Sequence, residues 1–114
     1  MGNFDSLINA IKGAFRYIVN LVRRVINGVL NFVKVVVNWF RRLNLDPRKD
    51  TPFVADAKEF KDLLKTAPKK DVGIFKGVYN EDKDEITAHE YVDADSVDQQ
   101  TKDVMGNDSL VVLS

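Results

Sequence analysis

Three side chains are spaced as a calcium loop would require at its start. Asn80, Asp82 and Asp84 alternate along a charged stretch, placing oxygen donors at every second position. The rest of the pattern fails. Glu85 stands where the loop needs glycine, and Tyr91 where a bidentate glutamate closes the site. The reading is a hairpin loop facing water. His89 is the only histidine, and its neighbour Glu90 lies on the opposite face of any strand that holds both. No Gly-x-Ser-x-Gly frame surrounds a serine, so no nucleophile is proposed. With no cysteine, disulfides and thiolate metal sites are excluded. The sequence therefore names no catalytic residue, no metal ligand and no cofactor. Two modification motifs remain. Met1 to Ser6 fits the N-myristoylation pattern, and Asn107-Asp108-Ser109 is a glycosylation sequon that matters only in a secreted eukaryotic protein.

The elements that would position any function are dominated by one long apolar run, Phe4 to Leu43. At 100° per residue, Asn9, Lys12, Arg16, Asn20, Arg23, Asn27, Lys34, Asn38 and Arg41 fall on a stripe about 80° wide. Arg24, Asn31 and Arg42 flank it. Phe4, Leu7, Ile8, Ile11, Phe15, Ile18, Val22, Val25, Ile26, Val29, Phe32, Val33, Val36, Val37, Trp39, Phe40 and Leu43 fill an opposite arc roughly 200° wide. This phase predicts one long amphipathic helix, bent at Gly28 or folded there into a helical hairpin. Tyr17 and Trp39 lie on the edge of the apolar arc, a place that suits amphipathic rings at a membrane surface.

Charge divides the chain in the same place. Residues 1–44 carry seven Lys/Arg against one acid, Asp5, a net of +6. Residues 45–114 carry ten Lys/Arg against sixteen acids, a net of −6. A basic amphipathic helix suits an anionic lipid surface or a partner helix. Its cations Lys12, Arg16, Arg23, Arg24, Lys34, Arg41 and Arg42 are the expected contacts with that surface. Its apolar residues Phe4, Leu7, Ile11, Phe15, Ile18, Val22, Val25, Val29, Phe32, Val36, Trp39 and Phe40 are the expected membrane or assembly face. Nucleic acid fits poorly, because stacking aromatics belong among the charges and here they lie opposite them. The stretch from Val25 to Phe40 falls short of the roughly 20 residues of a bilayer span and contains Lys34. The first residues carry no positive charge and no cleavage site follows the run, so no cleavable signal is expected.

Beyond the connector Leu45–Asp50, Thr51-Pro52 reads as the start of a helix with Phe53, Ala57, Phe60, Leu63 and Leu64 inward. Val72 to Tyr79 and Ile86 to Val92 read as a hairpin. Ser96 to Gln99 matches a capping box for a short helix that stops at Gly106-Asn107. Leu110 to Leu113 closes the chain as a strand. The expected fold is α+β: residues 1–46 a basic helical segment, and residues 47–114 an acidic α-β-β-α-β domain with a three-stranded, mainly antiparallel sheet. The expected function is non-enzymatic. The first segment binds anionic membrane as a peripheral anchor on a membrane-associated or cytoplasmic protein, and presents the acidic domain to a protein partner. Two alternatives stand beside it: a subunit that self-assembles through the same segment as a homo-oligomer, and a toxin or bacteriocin-like protein that permeabilises membranes.

Overall fold

The computed structural model describes residues 2–113, with side-chain surroundings from residue 5 onward. Met1, with which the myristoylation motif begins, and the side chain of Phe4 lie outside that range. The chain runs α1 (Gly2–Ala14), a 3-10 turn (Phe15–Tyr17), β1 (Arg23–Leu30), a π-helical stretch (Val33–Val37) leading into α2 (Asn38–Arg42), then β2 (Asp50–Asp56), α3 (Lys61–Leu64), β3 (Val72–Asn80), β4 (Glu85–Val97), α4 (Gln99–Met105) and β5 (Leu110–Val112). The strands form one mixed sheet in the order β1-β4-β3-β2-β5. β1 joins β4 in parallel, and every other pairing is antiparallel.

This corrects the expected fold in two places. The long helix is absent: only 13 residues form α1, and the stretch that follows turns, becomes a strand and then returns to helix. The sheet has five strands rather than three, since Asp50–Asp56 extends the hairpin on one side and β1 on the other. The expected helix over Phe53–Leu64 shrinks to the single turn of α3. The capping box also shifts. Ser96 and Val97 are still strand, and Asp98 caps α4 by accepting from the Thr101 N–H at 3.0 Å.

Local chemistry explains the break in the first segment. Ile11, Ala14 and Phe15 are buried against the sheet, so the helical period is real as far as Ala14. The helical path ends at Tyr17, where Ile18 turns extended (φ −74°, ψ 122°), and Asn20 then takes a left-handed conformation (φ 55°) that asparagine tolerates better than most residues. The residues beyond it, Val22, Val25, Ile26 and Val29, are β-branched and suit a pleated surface. The open flank of β4 offers them backbone partners: Tyr91 N–H donates to Val22 O at 2.8 Å, and Asp98 N–H to Leu30 O at 3.0 Å. Gly28, the expected bend, lies instead in a strand irregularity. Between Ile26 and Val29 β1 advances one residue more than β4, and Gly28 absorbs it with φ 130°.

Each face of the sheet carries a core. On one, Phe15 of the 3-10 turn meets Phe53, Phe60 and Phe75 at ring-centre distances of 5.9, 5.2 and 5.3 Å. On the other, Val35 and Val36 of the π-helical stretch join Leu30, Val54, Ile74, Val92 and Met105. The basic first segment thus supplies a strand to the sheet and a layer to each of its faces. Close packing is tight at Gly77, where a Cβ would lie 2.8 Å from the Phe53 ring.

Candidate functional site

β1 is an edge strand. It bonds to β4 on one side, and no strand lies on its other side among the described residues. Successive residues of a strand direct their backbone groups to alternate sides. Val22 O accepts from Tyr91, so Val22, Arg24 and Ile26 face β4, while Arg23, Val25 and Asn27 turn their N–H and C=O groups outward. Several apolar side chains along this edge are open to water, beside the exposed Arg24 and Asn27. Val25 and Val29 are 50% and 59% exposed, and Val19 and Tyr17, just before the strand, 75% and 79%.

The strand is held rigidly from behind. Arg23 bonds both oxygens of Asp93, at 2.8 and 3.2 Å, and also reaches Thr66 Oγ1 at 2.8 Å and Ala67 O at 2.6 Å. Its guanidinium carbon lies 4.1 Å from the centre of the Tyr91 ring. Asp93 is fully buried and also accepts from the Lys69 N–H at 2.7 Å. Burial pushes the Asp93 carboxyl up, but the bonds from Arg23 and Lys69 outweigh it and hold it below the usual carboxylate range. The Asp93 hydrogen bond in turn raises Arg23. Burial pushes the Tyr91 hydroxyl up to about 12. At the start of the strand, His89 Nε2 accepts from the Val22 N–H at 3.0 Å, and its ring stacks on Phe75 with centres 5.6 Å apart. Burial lowers the His89 pKa.

On the other face, Lys76 is fully buried under the π-helical stretch. It donates to Val35 O at 2.5 Å, lies 2.8 Å from Glu90 Oε1, and sits 4.6 Å from the Trp39 ring centre. Burial pulls its pKa down against the opposing pull of Glu90.

The residues expected to share one face are distributed over several surfaces. Ile11, Phe15, Phe32 and Val36 are buried; Leu7, Ile18, Trp39 and Phe40 are partly buried; Val22, Val25 and Val29 remain exposed. Of the expected surface cations, Arg16, Arg24, Lys34, Arg41 and Arg42 are exposed. Arg23 is committed to Asp93, and Lys12 lies 5.9 Å from the Phe60 ring centre. Val19, outside both expected sets, is among the most exposed apolar residues; the β-branched run around it was the available signal. The alternating Asn80, Asp82 and Asp84 sit at the β3–β4 turn. There Asn80 accepts from the Lys83 N–H at 2.9 Å and donates to Asp50 at 2.9 Å, and Asp84 accepts from the Tyr79 hydroxyl. Among the described residues no group of His, Cys, Asp or Glu is arranged to hold a metal, and no helix is long and apolar enough to cross a membrane. An apolar groove of about 490 Å³ lies between Leu7 of α1 and Pro52, Val112 and Leu113.

Comparison of the chain with protein-family models, with curated proteins and with solved structures finds no match.

Proposed function

We propose that this protein is a non-catalytic interaction subunit that binds by adding a protein strand to the open edge of β1. One observation carries the reading: a rigidly anchored edge strand presents outward backbone groups beside exposed Val25 and Val29. Such an edge is a template for another strand, with backbone bonds giving affinity and alternate side chains giving selectivity. An anionic lipid surface suits this edge less well. Arg24, Lys34, Arg41 and Arg42 would favour it, but sinking Val25 into hydrocarbon strips water from backbone groups that lipid cannot bond.

The test is selection from a displayed library of extended peptides on the full chain, run beside Val25→Pro and beside flotation with anionic vesicles. Proline removes an N–H that the fold does not use and blocks the edge. Enrichment of apolar strand-forming peptides that bind the parent chain and not Val25→Pro supports the reading. Peptides indifferent to Val25→Pro, or salt-sensitive flotation with no peptide enrichment, overturn it.

A further inference from the structure

We infer that the strand received by the β1 edge is β1 of a second copy of this chain, paired antiparallel about a two-fold axis at Val25. The inference rests on the strand-addition reading and names its partner.

The edge limits the register. Only outward-facing residues can exchange both backbone bonds across an antiparallel pair, and these are Arg23, Val25 and Asn27. A two-fold axis at Val25 sets Val25 against Val25 and Arg23 against Asn27 on either side. Those residues share one sheet face, so apolar meets apolar and polar meets polar. On the opposite face Arg24 meets the partly buried Ile26, whose surface its aliphatic stem can cover. Val22 then falls opposite Gly28 of the second copy. A Cβ at Gly28 would meet nothing within 4 Å, so that position has room for the valine. A slip of one residue would set outward backbone groups against inward ones and place Arg24 beside Val25.

Charge on the Val25 face is compatible with the same partner. Arg23 is already neutralised by the buried Asp93, leaving Val25, Asn27 and Val29 as the uncharged side chains along its face of the edge. An acidic peptide finds no cation on that row. A strand with uncharged side chains on this face matches it, and β1 of a second copy presents Val25, Asn27 and a paired Arg23 there, its exposed Arg24 lying on the opposite face beside Ile26. The chain has a net charge of zero, so two copies carry no long-range repulsion. A two-fold contact also closes on itself, consuming both β1 edges rather than propagating a fibre.

The experiment uses the full chain in sedimentation equilibrium over a wide concentration range, with single-cysteine variants alongside. The sequence has no cysteine, so an introduced one is unique. A concentration-dependent dimer is expected. Val25→Lys should remain monomeric with an unchanged unfolding midpoint, since Val25 is half exposed. Val25→Cys should be joined to its copy by a short bis-maleimide at least tenfold faster than Lys58→Cys, an exposed position off the edge. A monomer even at about 1 mM overturns the inference. So does a dimer that survives Val25→Lys, or crosslinking at Val25 no faster than at Lys58. A monomer that still captures extended peptides in a Val25-dependent way overturns the second copy alone and leaves strand addition standing. A monomer that captures none overturns both.

Discussion

Arg23 grips Asp93 through both carboxylate oxygens while its guanidinium lies 4.1 Å from the centre of the Tyr91 ring. A single residue of the edge strand is thereby fixed to two residues of β4 and, through Thr66 and Ala67, to the segment after α3. The parallel β1–β4 pairing has its strongest side-chain anchor here. The anchor explains how a strand open on one side can keep one register. Asp93→Ala should strand the Arg23 charge in a largely enclosed site, at a cost of about 3–5 kcal/mol in urea unfolding. Arg23→Lys alone should show a smaller loss, because the ammonium keeps the charge pair but cannot reproduce the two-pronged contact.

The pH dependence should carry a separate signature from His89. Burial lowers its folded pKa, so the unfolded chain takes up the proton first as pH falls. Stability contributed by neutral His89 is therefore complete above the ordinary value of about 6.5 and declines as pH drops below it. Protonation also removes the acceptor of the Val22 N–H. Thermal unfolding between pH 7 and pH 5 should show this loss, and His89→Gln should flatten it. Carboxylate titration, including that of Asp93, whose pKa is lowered, belongs to a more acid window.

Lys76 should hold the π-helical stretch on the sheet. Lys76→Met leaves Val35 O without its donor and Glu90 without its cation, which predicts a loss of about 1–3 kcal/mol. Trp39 fluorescence should shift in the same variant, since the ring lies over the lysine. An unchanged unfolding midpoint and an unchanged spectrum would show that the contact is not holding the stretch.

The legible parts of the sequence were those with local signals. The β3–β4 hairpin, the short α4 with its stop at Gly106, and the closing strand follow from short apolar runs bounded by turn residues, close to where the structure has them. The first segment departs from its helical pattern because its polar residues keep a helical phase through a strand. Asn20, Arg23 and Asn27 fit the stripe, yet the chain is already extended at Ile18, Asn20 turns left-handed, and Arg23 reaches a carboxylate 70 residues away. That partner cannot be seen in local spacing. Val54 is buried on one side of β2 while Phe53 and Ala55 are buried on the other. A strand covered on both faces shows no alternation, so the run around Pro52 read as helix. The exposed edge was half legible: the valines were conspicuous, but a helix assigns them to a face and a strand to an edge.

Residue-resolved amide exchange of β1, followed as the protein concentration is raised, tests the account most directly. In dilute solution Arg24 and Ile26 should be protected by β4, while Val25 exchanges as an open amide. Raising the concentration should slow Val25 selectively, as a second strand takes up its outward N–H. If Val25 is as protected as Arg24 in the dilute monomer, the edge is already covered and is not a docking strand. If Val25 exchanges freely at every concentration, no second copy pairs with it.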